Sequence, residues 1–217
     1  MGTVLFFQLW KRGLSPLLWV LLAPAALAGT IDTAFLEQPW PDQRVRQTEV
    51  GRHPVTWRQR AGKAAGIFAG VKFILPLDRE AAWRLANEYQ DVGHITPGVT
   101  AVRYLERTDT RQVIQVDVKI LWKKLQLTFE VEQEPPDAVR FRLVNRVLGE
   151  YRGLCRFVEA SAPGQDGTPQ PATSMELMTW LQPARPVPQG LLLAVERMTM
   201  LRGVREFFKA CDRREKS

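Results

Sequence analysis

Apolar and polar residues alternate along three consecutive segments in the middle of the chain, and this pattern constrains the fold more than any other. In the first segment the residues between positions 114 and 120 alternate strictly, with one face formed by Ile114, Val116, Val118, Ile120 and Trp122. Segments 125–131 and 139–143 alternate in the same way. A period of two is that of a β-strand with one buried and one solvated face. The sequence therefore predicts an antiparallel meander with one dry face and one wet face.

The same alternation limits how the second and third segments pair. Antiparallel partners share a face only if every pair of residue numbers adds to one value, and matching the apolar faces requires an even sum. Sums of 270 and 272 meet this condition, and they place Glu130 opposite Arg140 or Arg142. We expect that ion pair on the solvent face, where it contributes roughly 0.2–1 kcal/mol. Glu130, Glu132 and Glu134 are accordingly predicted to be solvated and not to form a catalytic carboxylate pair.

Proline-bounded segments on both sides of the meander supply the other predicted elements. A strand rich in β-branched and aromatic residues ends at Pro76, and Asp78 is a suitable N-cap for the helix that follows. The count reaches seven strands, which indicates an α+β fold. The elements outside the meander are a strand at 67–75, a helix from 78 to about 89, a short helix or turn to Ile95, a strand after Pro97-Gly98, strands at about 149–160 and 172–181, and a long helix at about 189–211.

The N-terminal residues are typical of a secretory signal peptide. Lys11-Arg12 precede an apolar run that closes with Ala26-Leu27-Ala28, a small-residue cleavage pattern. We expect residues 1–28 to be removed near Ala28 and the protein to be exported to the periplasm or the exterior; an uncleaved anchor is the alternative. Residues 29–63 show no sustained period and are predicted to be an extension, and residues 213–217 a charged tail.

A resemblance to a known family is carried by the predicted opening helix and the turn after it. The run 77–89, with Trp83, and the passage Pro97-Gly98-Val99 resemble the START-like (SRPBCC) superfamily, most of all its polyketide cyclase and coenzyme-Q-binding branch. Glu88 stands where the family pattern has Asp. The resemblance covers about 64–212 and implies a helix-grip fold, in which a seven-stranded antiparallel sheet curls around the long C-terminal helix, with two short helices after the first strand. It also implies a hydrophobic cavity for a lipid, quinone or polycyclic ligand.

The apolar residues expected to line this cavity exceed what a thin core needs, although the alternative is that they fill a solid core. Methionines favour an adaptable lining, because flexible thioethers repack around different ligands. Two residues are candidate polar anchors for the ligand: Arg197, which interrupts the apolar stripe of the C-terminal helix, and His94, near the expected cavity mouth. The alternative is that both side chains reach solvent. The predicted lining residues are Val102, Tyr104, Val116, Val118, Ile120, Leu127, Phe129, Phe141, Phe157, Met175, Leu177, Met198, Val204 and Phe208.

The residue counts exclude several kinds of site. Two Cys and two His are too few for a Cys/His zinc module, and the sequence has neither a nucleophile elbow nor a phosphate-binding glycine loop. We therefore assign no catalytic residue and expect no metal and no cofactor. Cys155 and Cys211 lie on surfaces that should face each other, and either a disulfide or two buried thiols fits that placement.

These observations favour an exported binding or carrier protein for a lipid, quinone or other hydrophobic ligand. The alternative is a cyclase or hydrolase-type enzyme that acts on a polyketide or lipid in the same cavity; a third reading is a domain that binds a protein through its Arg-rich extension. The net charge of +7 falls to +5 without residues 1–28, which carry Lys11 and Arg12 and no acid, and a basic chain suggests weak peripheral contact with an anionic membrane surface. Basic and acidic residues interleave along the strands, which argues against nucleic acid as a partner. We expect a monomer.

Overall fold

The computed structural model describes residues 30–38, 43–62, 66–87, 98–120, 123–164 and 167–214. The predicted signal peptide and its cleavage site, the second short helix, the anchor candidate His94, and Trp122 lie outside the described residues, as does the side chain of Ile120.

In the described part of the chain one antiparallel sheet of nine strands forms most of the fold, in the order β1-β2-β3-β9-β8-β7-β6-β5-β4. The count of seven was therefore wrong, because the region predicted as an extension contributes two strands. The strands are β1 (Arg44–Val50), β2 (His53–Ala61), β3 (Ile67–Leu75), β4 (Val99–Arg107), β5 (Arg111–Ile120), β6 (Lys123–Glu134), β7 (Ala138–Leu143), β8 (Gly149–Pro163) and β9 (Pro169–Pro183).

The two additional strands form a hairpin that extends the edge of the sheet at β3. Its turn contains Gly51, whose positive φ of 67° suits a glycine. Most of β1 is exposed, and only Val55 and Trp57 of β2 are deeply buried. The hairpin therefore has little apolar alternation of its own, which is why its sequence reads as irregular.

Within the described ranges three helices accompany the sheet: α1 (Ala34–Glu37), α2 (Arg79–Asn87) and α3 (Gln189–Arg214). Asp78 caps α2 as predicted, its Oδ1 accepting a hydrogen bond from the Ala81 N–H at 2.8 Å. The long helix α3 packs chiefly against β3, where the rings of Phe208 and Phe73 meet at 5.7 Å. A sheet that holds a long C-terminal helix confirms the predicted α+β helix-grip class.

The predicted register of β6 and β7 is confirmed, but the environment of its ion pair is not as predicted. Glu130 lies opposite Arg142, which is the register with the sum 272. Its carboxylate is fully buried and accepts from Arg142 Nε at 2.5 Å while also pairing with Arg111. The prediction of a solvated Glu130 is wrong because two guanidinium groups and residues 31–36, here called the N-terminal segment, cover this face. That segment approaches closely enough for the Ile31 N–H to donate to Glu132 at 2.9 Å.

The N-terminal segment packs against the outer face of the sheet, opposite α3. Leu36 is almost fully buried there against Phe68, Leu154 and Met178, and the ring of Phe35 meets that of Phe68 edge-on at 6.1 Å. The sheet therefore buries apolar residues on both faces. Residues 31–36 belong to the folded domain rather than to a separate extension.

Candidate functional site

The face of the sheet turned toward α3, here called the concave face, carries most of the predicted lining residues. Deep in it, and along α3, the side chains are buried: Val116, Leu127, Phe157, Met175, Val204 and Phe208. Toward β4 and β7 the inward side chains are only half-buried although they pack beside the core: Val102, Tyr104, Val118, Phe129 and Phe141. Leu177, on β9 beside β3, is half-buried as well. The main contacts of α3 are with β3, β1 and β2, and we call the half-buried remainder of the concave face the cleft.

Met198 does not belong to this cleft. Its side chain is 47% exposed, and Leu191 and Val195 on the same side of α3 are exposed as well. The expectation that Met198 lines the cavity is wrong because α3 packs against the sheet on one side only, chiefly against β3. Its other side carries these apolar residues to the surface.

A row of small residues crosses the concave face beneath the first half of α3. Ala69, Thr179 and Gly153 pair side by side on β3, β9 and β8, and Phe141 on β7 pairs with Gly153. The Phe141 ring lies over Gly153, since a Cβ there would come within 2.6 Å of ring atom Cε2. Small side chains in this row leave space for groups that descend from the helix.

Glu196 of α3 fills part of that space, although sequence analysis did not identify it. The residue is 9% exposed, and its Oε1 accepts hydrogen bonds from the Tyr151 hydroxyl at 3.0 Å and the Thr179 hydroxyl at 2.9 Å. Burial raises the pKa of Glu196, and the two donated hydrogen bonds oppose that rise. Burial, followed by the nearby Glu196, raises the pKa of Tyr151 well above its ordinary value. The interior of the grip thus holds an acid that burial drives toward its uncharged form.

Arg197, the predicted polar anchor on α3, is half-buried and makes no hydrogen bond or ion pair with any described residue. The helical stripe that passes through Leu193 and Met200 admits either Glu196 or Arg197, because spacings of three and four are both helical. The structure turns Glu196 toward the sheet.

Three aromatic rings line the cleft beside Glu196. The ring centroids of Phe129 and Phe141 are 6.1 Å apart, those of Phe141 and Tyr151 5.9 Å, and those of Phe129 and Tyr151 6.3 Å. Edge-to-face and tilted arrangements at these distances are favourable. Tyr151 therefore joins the aromatic wall of the cleft to the buried carboxyl group.

Two surface depressions lie away from the cleft. One, of about 700 Å³, is on the outer face and is lined by charged side chains that pair with one another, such as Arg79 with Asp137 at 2.5 Å. The other, of about 540 Å³, lies between the β1–β2 turn and α3, where the ring of His53 stacks on that of Phe208 at 3.8 Å. The charged side chains of the outer-face depression already pair with one another, so this depression is a weaker candidate for a binding site than the cleft.

The described residues show no metal site and no membrane span. Within the ranges given above, no three His, Cys, Asp or Glu side chains are grouped so as to hold a metal ion. None of the described helices is both long and apolar enough to cross a bilayer. Cys155 and Cys211 are both buried and are not joined by a disulfide.

Comparison with known proteins agrees with this geometry. A family model described as polyketide cyclase / dehydrase and lipid transport matches residues 75–208. No curated protein matches the sequence. Similar solved structures include a STAR-related lipid transfer protein from Xanthomonas axonopodis, with 14% identity, a TM-score of 0.62, and coverage of 78% of this chain and 98% of that one.

Two more solved structures share the fold at low sequence identity. The Zhui aromatase/cyclase from Streptomyces sp. R1128 has 14% identity and a TM-score of 0.57, with 69% of this chain and 95% of that one covered. A START superfamily protein from Mycobacterium smegmatis has 10% identity and a TM-score of 0.54, with 67% and 97% covered. Identities this low establish the fold and leave the ligand open.

Proposed function

Because the chain belongs to the polyketide cyclase / dehydrase and lipid transport family of the START-like superfamily, we propose that it binds a lipid or other hydrophobic ligand in the cleft of the concave face and carries it unchanged. The observation that supports this most is the row of inward-facing apolar and aromatic side chains on β4–β7 that α3 leaves half-exposed. A solid core would have covered them.

The cleft offers enough apolar surface for useful affinity. An aromatic side chain presents roughly 150–250 Å². If a ligand covers about a third of one ring, roughly 60 Å², the contribution is about 1.5 kcal/mol at the usual area coefficient. Phe129, Phe141 and Tyr104 together with neighbouring valines therefore support binding of a long apolar group.

A matched pair of variants tests the cleft. Val118→Trp places a bulky ring in the cleft, whereas Val158→Trp adds the same ring on the outer face, where Val158 is 56% exposed. With an environment-sensitive naphthalene dye as the probe, Val118→Trp should weaken binding and Val158→Trp should not. Equal effects of the two substitutions would contradict the proposed site.

We also propose that the protein is exported and approaches an anionic membrane surface through α3. Leu191, Val195, Met198, Arg202 and Arg205 recur at spacings of three and four, so one exposed face of α3 is apolar in its first half and basic further on. Such a face suits a bilayer interface. Met198→Glu should reduce co-sedimentation with anionic vesicles, with Val158→Glu as the control; unchanged binding of Met198→Glu would contradict the surface assignment.

Export is tested separately from binding. Mass analysis of the protein recovered from outside the cytoplasm should give a chain that begins near Gly29. Recovery of a chain that begins at Met1 would contradict the proposed cleavage.

The second candidate function is an enzyme of cyclase or hydrolase type. The observation that favours it is the Tyr151–Glu196 pair, which places two proton-bearing groups 3.0 Å apart beside an apolar cleft. Native mass spectrometry of protein from the exporting cell separates the two functions. A stoichiometric ligand that is returned unchanged supports a carrier, and its conversion supports an enzyme.

A further inference from the structure

The carboxyl group of Glu196 has one oxygen that is used by the fold and one that is not. Both hydrogen bonds, from Tyr151 and Thr179, fall on Oε1. Among the described residues none reaches Oε2. Nor is Oε2 one of the fully enclosed polar atoms that lack a partner in the described part of the chain, so it touches open space. Tyr151, which donates to Oε1, stands with Phe129 and Phe141 in one aromatic cluster, so the carboxyl group lies beside the cleft wall.

From this geometry, and resting on the proposed hydrophobic cleft, we propose that Oε2 of Glu196 donates a hydrogen bond to a carbonyl oxygen of an otherwise apolar, uncharged ligand. The cleft would then select its ligand by one polar contact at its inner end, while the aromatic wall binds the apolar remainder.

The position of the proton follows from the hydrogen bonds already present. Oε1 accepts from two hydroxyl groups, so a proton on Glu196 belongs on Oε2, where it makes the acid a donor. Burial raises the pKa of Glu196, which favours this protonated form. The titratable group that faces Glu196 from the sheet is Tyr151, whose pKa is raised as well, and Thr179 does not titrate.

The surroundings of Oε2 favour a neutral partner over a charged one. Phe129, Phe141 and the ring of Tyr151 give this end of the cleft apolar walls, and an anionic head group there would be both partly desolvated and set beside a second acid. A ketone or ester oxygen needs only one donor, and Oε2 supplies one.

The test compares three probes of equal chain length: a methyl ketone, an alkane and a fatty acid. The measured quantity is the ratio of the alkane to the ketone dissociation constant, because comparing this ratio between variants removes the ligands' own transfer free energies. One net hydrogen bond corresponds to about a 3- to 10-fold change in the ratio. Glu196→Leu should lower the ratio by that factor, and Glu206→Leu, an acid on the same helix that pairs with Lys209 at 2.7 Å, should not.

Glu196→Gln provides a test that does not depend on losing a hydrogen-bonded side chain. Its amide carbonyl can accept from Tyr151 and Thr179 while its N–H group takes the place of Oε2–H. We expect Glu196→Gln to keep the ketone preference at every pH. The wild-type preference should fall as the pH rises through the folded pKa of Glu196, since a carboxylate does not donate.

Several outcomes overturn the assignment without touching the proposed function. They are a ketone preference that survives in Glu196→Leu or grows with pH in the wild type, its loss in Arg197→Leu instead, or tighter binding of the fatty acid than of the ketone. If the wild type binds none of the three probes, the proposed hydrophobic cleft fails as well.

Discussion

Replacing Gly153 by alanine tests how the cleft is kept open. Gly153 of β8 lies opposite Phe141 of β7 on the concave face. An alanine Cβ would lie 2.6 Å from ring atom Cε2 of Phe141 and still nearer to Cζ and Cε1. Non-bonded carbon atoms prefer about 3.5–4.0 Å, so the ring has to move by roughly 1 Å or more. Because Phe141 is half-buried, the direction open to it is outward, into the cleft.

The expected loss of stability in Gly153→Ala follows from the cost of overpacking. Inserting a methyl group into a well-packed site costs about 1–3 kcal/mol, of which the reduced entropy of the unfolded chain offsets about 0.4–1 kcal/mol. For a chain of this size 1 kcal/mol shifts Tm by about 2–4 °C, so Gly153→Ala should melt up to about 10 °C below the wild type. Each ligand methylene that the displaced ring excludes contributes about 0.8 kcal/mol, which lowers dye affinity about fourfold.

The assay is thermal unfolding together with dye titration, and Gly203 of α3 is the matched control. A Cβ on Gly203 meets nothing within 4 Å. Alanine there should stabilise the helix by up to about 1 kcal/mol and leave dye affinity unchanged. If Gly153→Ala melts at or above the wild-type temperature and binds the dye equally well, Phe141 does not rest on Gly153, and Gly153 does not keep the cleft open.

Three further predictions concern buried groups. Burial raises the folded pKa of Glu196 above its unfolded value, so the stability that its protonated form contributes is complete below the unfolded pKa and is lost as the pH rises through the folded pKa. Glu196→Gln should therefore flatten the pH dependence of denaturant unfolding and be more stable than the wild type at neutral pH. Glu130→Gln should lower the free energy of unfolding by about 2–4 kcal/mol, since it leaves two half-buried guanidinium groups without their anion. Glu134→Gln at the surface should lower it by less than about 1 kcal/mol. Similar losses in the two variants would contradict the burial of Glu130. Both cysteines are buried, and burial raises the pKa of the Cys155 thiol, so a thiol reagent should leave Cys155 and Cys211 unmodified in the folded protein at neutral pH. After denaturation without reductant the reagent should count two thiols, and a count of zero would indicate a disulfide.

Local pattern was sufficient to predict the central sheet. Apolar residues repeat every second position on β5, β6 and β7, and this period permits only pairings with an even sum, so the observed Glu130–Arg142 register was one of two possibilities. The burial of Glu130 depends instead on contacts far away in the chain. Ile31 reaches Glu132 across 101 residues, and nothing in the alternation of β6 indicates that a distant segment covers its polar face.

The β1–β2 hairpin was missed for a related reason. A strand is recognised by a buried face, and β1 has almost none, because its residues are exposed up to Val50. What places the hairpin in the sheet is the pairing of β2 with β3, for example Trp57 with Val71. That pairing joins two segments whose sequences do not indicate each other.

Sequence periodicity did not predict that Glu196 of α3 is buried, and the presence of an acid at this position bears on function. An apolar stripe on α3 predicts that position 196 or 197 faces the sheet, and a leucine at that position would extend the stripe from Leu193 to Met200 without a desolvation cost. Glu196 instead introduces a carboxyl group whose burial opposes its ionisation and whose compensation by Tyr151 and Thr179 uses only one oxygen. A fold that needed this position only for packing gains nothing from such a residue, whereas a cleft that recognises one polar atom of an apolar ligand requires it. The acid's cost to stability and its location beside the cleft wall therefore support the same proposal, that Glu196 serves ligand binding.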